Sequence, residues 1–235
     1  MKLSIIIPVY NEVQTIKEII EKVDALPLEN VEKEIIVVDD CSRDGTREVL
    51  KKLGSKKIKI LFHEKNKGKG GALKTGLKEI TGDIVIFQDA DLEYDIKDYP
   101  RLIKPIVEGK TDVVYGSRFL NKKPKLFGTG REFIPLHYIG NKFLTTLTNI
   151  LYFAKISDMD TCYTIFRSKI LKELKLDSDN FDITPEITAK ILKKGIKIHE
   201  IPITYKGRDH SEGKKINWKD GISAAWALIK YRFKN

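Results

Sequence analysis

Cysteine is nearly missing from this chain: Cys41 and Cys162 are the only two in 235 residues. Two thiols cannot build a disulfide framework, and neither sits at a metal-ligand spacing, so stapled secreted scaffolds and zinc ribbons are excluded. Glutamine is as scarce, with Gln14 and Gln88 alone set against abundant Lys, Glu and Ile, a balance that resembles thermophile proteins. No apolar stretch reaches the roughly 18 residues that a membrane-spanning helix needs. The N-terminus runs directly into a strand-like segment, KLSIIIPVY, with no signal peptide ahead of it, and a cytoplasmic setting is expected. Internal repeats and low-complexity linkers are absent. Two phosphate-binding fingerprints also fail. In EKNKGKGGALKTG (64–76), Gly71 and Gly76 have the Walker A spacing, but Leu77 stands where Lys is required. Gly68 and Gly70 open a G-x-G-x-x-G pattern that then meets Leu73. What remains is a flexible basic turn before a helix, able to approach a nucleotide or simply to connect elements.

The chain is 41% hydrophobic, enough for a sizeable core, and 32% charged. Its 43 Lys and Arg against 33 Asp and Glu leave a net charge of +10, which favours anionic partners: nucleotides, nucleic acid or acidic lipid headgroups. The length suits one large domain, or one domain with a C-terminal extension.

Apolar runs alternate with helical patterns. LSIIIPV (3–9), EIIVVDD (34–40), KIKILFH (57–63) and DIVIF (83–87) read as strands. Ile16, Ile19, Ile20 and Val23 recur at helical spacing, and 42–53 and 70–80 read as helices. Beyond residue 110 the pattern loosens: 112–119, 161–167 and 196–205 read as strands, 120–132 as a Lys/Gly loop, and 184–195 as a helix with a Gly stop. Continuous Val/Ile runs alternating with helices predict an α/β fold, a mostly parallel central sheet with helices on both faces. Ligands of such sheets bind beyond the carboxyl ends of the strands. Three ends carry polar residues: Tyr10, Asn11 and Glu12; Asp39 and Asp40; and Asp89, Asp91, Glu93 and Asp95.

Asp89 and Asp91 are two apart, so in extended backbone they point the same way, and Glu93 shares their parity. Like charges held that close call for a cation, and Mg²⁺ is held by one or two carboxylates plus substrate phosphates.

SIIIPVYNE, VVDDCSRDGT, NKGKGGALKTG, DIVIFQDADLE and VYGSRF, in this order over roughly the first 120 residues, resemble the family-2 glycosyltransferases. Within that family the similarity is greatest to the dolichyl-phosphate mannose synthase branch, which loads hexoses onto polyprenyl phosphates; GRDHSEGKKINWKDG (207–221) resembles its C-terminal motif. The resemblance implies a GT-A fold, a nucleotide-sugar donor and Mg²⁺ or Mn²⁺. It implies that Pro8, Tyr10 and Glu12 cradle the base and ribose and that Val38 and Asp40 complete the base pocket. Asp89 and Asp91 would hold the metal on the diphosphate, with Ala90 contributing backbone. Glu93 occupies a third metal-ligand position, where the synthases carry Gln.

The expected reaction is displacement at the anomeric carbon with inversion, moving a hexose from GDP-mannose or UDP-glucose to dolichyl or polyprenyl phosphate. A phosphate monoester, with a second pKa near ~6, needs steering rather than deprotonation. Guanidinium forks suit that task, and Arg118, Arg131 and Arg208 fit it. By resemblance, Arg118 and Arg131 meet the lipid phosphate, and Arg208 and Lys214 the donor diphosphate. The alternative is a glycosyltransferase acting on a sugar hydroxyl, which needs a base; Glu186 and Asp160 are the spare carboxylates. A nucleic-acid partner is not expected, because acids gather at the strand ends. A nucleotidyltransferase would want a Gly-rich basic loop after the first strand, and PVYNE is not one.

Residues 1–210 read as the catalytic domain and 211–235 as a C-terminal basic amphipathic helix. In that helix Ile222, Ala225, Trp226, Ile229 and Phe233 share helical spacing with Lys230, Arg232 and Lys234 among them. A second such element, 133–153, carries Phe133, Leu136, Phe143, Leu147 and Leu151. Both suit a membrane interface or, as the alternative, packing on the domain. Peripheral attachment at the cytoplasmic membrane face, or a separate membrane protein partner, is expected.

Overall fold

The Val/Ile runs become strands that are covered on both sides. The computed structural model describes residues 1–54, 57–120, 135–207 and 218–234, the side chains of 135–137 excepted. Its strands are β1 (Lys2–Val9), β2 (Glu32–Asp39), β3 (Ile58–Phe62), β4 (Ile84–Phe87), β5 (Val113–Ser117), β6 (Thr164–Arg167) and β7 (His199–Pro202). Its helices are α1 (Ile16–Ala25), α2 (Thr46–Lys51), α3 (Gly68–Leu77), α4 (Tyr99–Val107), α5 (Pro135–Tyr152), α6 (Ser168–Lys172), α7 (Ile183–Lys193) and α8 (Trp218–Phe233).

The strands form a seven-stranded sheet in the order β3-β2-β1-β4-β6-β5-β7. β1 pairs in parallel with both β2 and β4, and β6 alone runs against its neighbours β4 and β5. Side chains of β1 alternate between two cores, as strand geometry requires. Leu3, Ile5, Ile7 and Val9 meet Ile16, Ile19, Ile20 and Val23 of α1 on one face. Ile6 meets Ala72 and Leu73 of α3, together with Ile183, Ile187 and Ile191 of α7, on the other. Chain order reverses at β1, where β2 leaves to one side and β4 to the other. The crevice above the carboxyl ends there is the ligand position for this class of sheet.

Helix α4 has no counterpart in the expectations above. Tyr99, Leu102, Ile103 and Ile106 are buried at helical spacing, but Pro100 and Pro105 break the visible pattern. Pro100 falls in the first turn, where a missing N–H costs nothing.

A third core joins α5, α7 and α8 through Leu144, Tyr152, Met159, Ala189, Ala224, Ala227, Leu228 and Tyr231. The Tyr152 hydroxyl donates to the Leu228 carbonyl at 2.6 Å. On the side of α8 away from this core, Trp218, Ile222, Trp226, Ile229 and Phe233 are exposed. Ile139, Phe143 and Ile150 of α5, with Phe153 just beyond it, are exposed as well. The α5 stripe differs from the expected one: Leu147 and Leu151 turn toward the third core, because α8 packs there. Phe133 and the side chain of Leu136 lie outside the described residues.

Toward the amino ends of the strands, Glu34 of β2 ties β1 to the segment that leads into β4. Its carboxylate accepts from Ser4 Oγ at 2.5 Å, Thr81 N at 2.6 Å and Gly82 N at 3.1 Å, and pairs with Lys2 at 2.6 Å. Burial pushes this carboxyl up, but Lys2, Ser4 and Thr81 outweigh it and bring it from the ordinary 4.5 down to about 2. A depressed carboxyl contributes stability fully present above its unfolded value and lost as pH falls through the folded one. Glu34→Gln is therefore expected to lower unfolding stability by about 1–2 kcal/mol at pH 7. The gap from wild type should narrow as pH drops from 4.5 towards 2, which urea titrations at several pH values would measure.

Candidate active site

The polar ends of β1, β2 and β4 meet above the crevice. Beyond β1 and β2 the chain turns through left-handed residues, Asn11 at φ 50° and Cys41 at φ 65°. The two turns are laced together. Asn11 N donates to Ser42 Oγ at 2.9 Å, Glu12 N to Thr46 Oγ1 at 3.0 Å, Val13 N to Asp44 Oδ2 at 3.0 Å, and Arg43 N to Asn11 Oδ1 at 2.8 Å. Tyr10 stands exposed on this rim. Thr15 Oγ1 joins it to β4 by donating to the Ala90 carbonyl at 2.9 Å.

The Gly-rich segment is not the loose connector expected from its composition. Asp40, almost fully buried, accepts from Lys67 N and Gly68 N at 2.8 Å each and contacts His63 Nδ1 at 2.7 Å. Gly71 N donates to the Asp179 carbonyl at 2.9 Å. Gly68 has φ +79°, and a Cβ there would sit 2.4 Å from the Asp179 carbonyl oxygen. A Cβ at Gly70 would lie 2.7 Å from the Ser178 carbonyl. Glycine is required because backbone fills the space a side chain would take.

This clamped turn aims Lys69 at the end of β4, where its Nζ lies 2.6 Å from Asp89 Oδ1. Burial pushes the lysine down, but the Asp89 carboxylate, with Asp91 adding to it, holds its ammonium above the ordinary range. Asp91 Oδ1 accepts from Glu93 N at 3.1 Å, and Glu93 Oε2 accepts from the Tyr205 hydroxyl at 2.8 Å. Residues 90–93 form bends rather than extended chain, so the period-two argument fails for them. Among the described residues no three His, Cys, Asp or Glu side chains converge on an ion position. Of the expected set of Asp89, Asp91 and Glu93, Glu93 is bonded to the Tyr205 hydroxyl and Asp89 to Lys69.

Arg118, just beyond β5, forms a two-pronged pair with Asp158: Nε to Oδ2 and Nη2 to Oδ1, both at 2.8 Å. Its Nη2 also donates to the Asp160 carbonyl at 2.6 Å, and Tyr205 covers the guanidinium at 5.2 Å. Asp158 accepts Asn141 Nδ2 at 2.5 Å as well. Asp160 lies in the same neighbourhood; burial raises its carboxyl, against the pull of Arg118.

Pro8 and Val38 pair with each other one residue before β1 and β2 end at the rim, and Val38 packs in the core with Ala72 and Leu73. Glu186 is fully buried; it accepts from Asp177 N at 2.8 Å and Ser178 N at 2.7 Å and pairs with Lys190. Those contacts make it a support for the 177–180 segment rather than a spare base. Arg131, Arg208 and Lys214 lie outside the described residues. Sequence reasoning missed Lys69, His63 and Asp158. The signal for Lys69 was the alternation Lys65, Lys67, Lys69 within the glycines; nothing local marked the other two.

The model of "Glycosyl transferase family 2" matches residues 4–175. The chain is a family-2 glycosyltransferase. It is 33% identical to the dolichol-phosphate mannosyltransferase of Pyrococcus furiosus, over 91% of its own length but only 59% of that protein. It is 30% identical to the UDP-N-acetylglucosamine–dolichyl-phosphate N-acetylglucosaminyltransferase of Methanococcus voltae, over 96% of this chain and 94% of that one. These names agree with the branch that its motifs resemble. Among solved structures, glucosyl-3-phosphoglycerate synthase from Mycobacterium tuberculosis, in complex with Mn²⁺, UDP and glucosyl-3-phosphoglycerate, superposes with a TM-score of 0.72 at 17% identity. That match covers 98% of this chain and 78% of the other and establishes the GT-A fold. Among the described residues of this glycosyltransferase, no helix is long and apolar enough to cross a membrane.

Proposed function

We propose that this glycosyltransferase moves a hexose from a nucleotide sugar to dolichyl or another polyprenyl phosphate, inverting the anomeric centre. The observation that carries this reading is the likeness to the M. voltae enzyme, which runs over nearly the full length of both chains. Asp89 and Asp91 at the end of β4 suit Mg²⁺ or Mn²⁺, since such an ion takes one or two carboxylates plus substrate phosphates. Asp89 already holds a positive charge, the Lys69 ammonium. When bound, the ion would stabilise charge on the departing diphosphate as a Lewis acid. Tyr10 and the laced turns beside it would receive the base and ribose. Asp40 would act by shaping the Gly-rich turn, since both its oxygens are engaged there. Arg118 and Arg131 would steer the acceptor phosphate, and Arg208 and Lys214 the donor diphosphate. A phosphate acceptor needs no proton acceptor. The test is a screen of GDP-mannose, UDP-glucose and UDP-N-acetylglucosamine with dolichyl phosphate, with and without Mn²⁺ or EDTA. Transfer that persists at full rate in EDTA would overturn the metal assignment.

Asp160 supports a second reading, transfer to a sugar hydroxyl, because a buried carboxyl with a raised pKa suits a general base. Asp160→Asn separates the two: loss of turnover favours the hydroxyl, and near-wild-type turnover favours the lipid phosphate.

The exposed stripes of α5 and α8 would rest on a bilayer that carries the acceptor. Lys219 lies over the exposed Trp218 ring, Lys142 and Lys230 stand on the same two helices, and aromatic plus basic residues favour an anionic interface. The reading places the enzyme peripherally on the cytoplasmic membrane face. Trp226→Glu is expected to weaken binding to phosphatidylglycerol vesicles by about tenfold or more, since an exposed Trp contributes ~1.5–3 kcal/mol when buried. Vesicle co-sedimentation would measure it, and unchanged partitioning would remove α8 from the contact.

A further inference from the structure

The ammonium at the end of β4 invites a question that the metal reading alone does not answer. A divalent ion that approaches Asp89 must compete with Lys69, whose Nζ is bonded to Asp89 Oδ1 at 2.6 Å. Lys69 did not reach this position by chance of a mobile side chain. Its backbone is fixed by Asp40 on one side and by the 178–180 segment on the other. Its side chain is four-fifths buried, passes over the Phe181 ring at 5.8 Å, and ends among carboxylates. We propose that Lys69 is a tethered counter-ion for the metal-free site: it occupies Asp89 until the metal and the nucleotide diphosphate arrive together, and then transfers to the diphosphate.

This proposal rests on the metal reading above and adds an order to it. With Lys69 in place, Asp89 carries no uncompensated charge in the empty enzyme, and two carboxylates can face one crevice without strong repulsion. A metal arriving alone must displace a buried ammonium and leave it without a partner, which is unfavourable. A metal arriving with a diphosphate brings new anionic oxygens, so the displaced ammonium exchanges one anion for another. Lys69 thereby couples metal affinity to donor occupancy. The same coupling, read in reverse, means that nucleotide affinity depends on metal.

Mn²⁺ binding, followed by electron paramagnetic resonance or calorimetry, tests this without reference to turnover. Lys69→Met keeps the length of the side chain and removes the charge. Without nucleotide, this variant is expected to bind Mn²⁺ about tenfold more tightly than wild type. With saturating GDP or UDP, the advantage should vanish or reverse, because the diphosphate has lost a cationic partner. Equal or weaker Mn²⁺ binding by Lys69→Met without nucleotide would overturn the proposal. A second measurement uses the wild-type chain and does not depend on the variant folding. Acetic anhydride labelling of Lys69, read by mass spectrometry, should stay low in the free enzyme and remain low with Mn²⁺ plus GDP or UDP. It should rise several-fold when millimolar Mn²⁺ is added alone; no rise would overturn the proposal. If wild type and Asp89→Asn bind Mn²⁺ equally, the metal assignment itself falls, and this inference with it.

Discussion

Asp89→Asn is expected to lower kcat/KM for glycosyl transfer by about 10²–10³-fold, the range seen when one preorganised electrostatic group is removed. The substitution keeps the shape of the side chain and removes its charge. Asp89 sits directly past β4 and holds the Lys69 ammonium, so it is the carboxylate best placed to hold a cation at the crevice. Folding should survive, because an Asn side-chain oxygen at 89 still offers Lys69 Nζ a hydrogen-bond acceptor in place of the carboxylate. The unfolding midpoint in urea should therefore move little while turnover collapses. Asp91→Asn should likewise leave the fold intact. One oxygen of Asp91 accepts from the Glu93 amide, a bond that an Asn side-chain oxygen reproduces. A variant series in which Asp89→Asn retains wild-type rates would remove the paired acids from the chemistry.

Asp158→Ala is expected to destabilise the protein by about 3–5 kcal/mol, because removing one partner of a buried ion pair leaves the other uncompensated. Asp158 is fully buried; it meets Arg118 through both side-chain prongs and through the Arg118 amide at 2.9 Å, and Asn141 as well. The Asp158 main-chain amide donates to Glu200 of β7 at 3.1 Å, a bond that alanine retains. Against a typical total of about 5–15 kcal/mol, such a loss leaves a marginal fold. Chemical denaturation would measure it. Arg118→Lys adds a second readout. Lys keeps the charge but cannot form a two-pronged pair, so stability should fall by less than in Asp158→Ala. If Arg118 also steers an acceptor phosphate, the apparent KM for that acceptor should rise while KM for the donor stays constant.

The strands and most helices were legible because burial on both faces leaves an unmistakable record, continuous Val/Ile runs such as 5–7 and 35–38. The rim was legible for the same reason: a run of Ile84 to Phe87 that ends in acids has to end at a surface. Helix α4 was not, since Pro100 and Pro105 obscure a face that Leu102, Ile103 and Ile106 otherwise mark clearly. The antiparallel insertion of β6 between β4 and β5 was also unreadable, because a four-residue strand carries no sign of its direction.

Local chemistry determined that β4 ends in acids at a ligand rim, that a basic Gly-rich turn leads into a helix, and that the chain resembles family-2 glycosyltransferases. Only the folded chain decided which cation meets Asp89, that Glu93 meets the Tyr205 hydroxyl, and that Glu186 supports a backbone segment. The division has a physical cause. Burial and backbone preference act between near neighbours and are written in sequence periodicity. Charge pairing between Lys69 and Asp89, or Arg118 and Asp158, joins residues 20 and 40 positions apart and exists only once the sheet has brought their elements together.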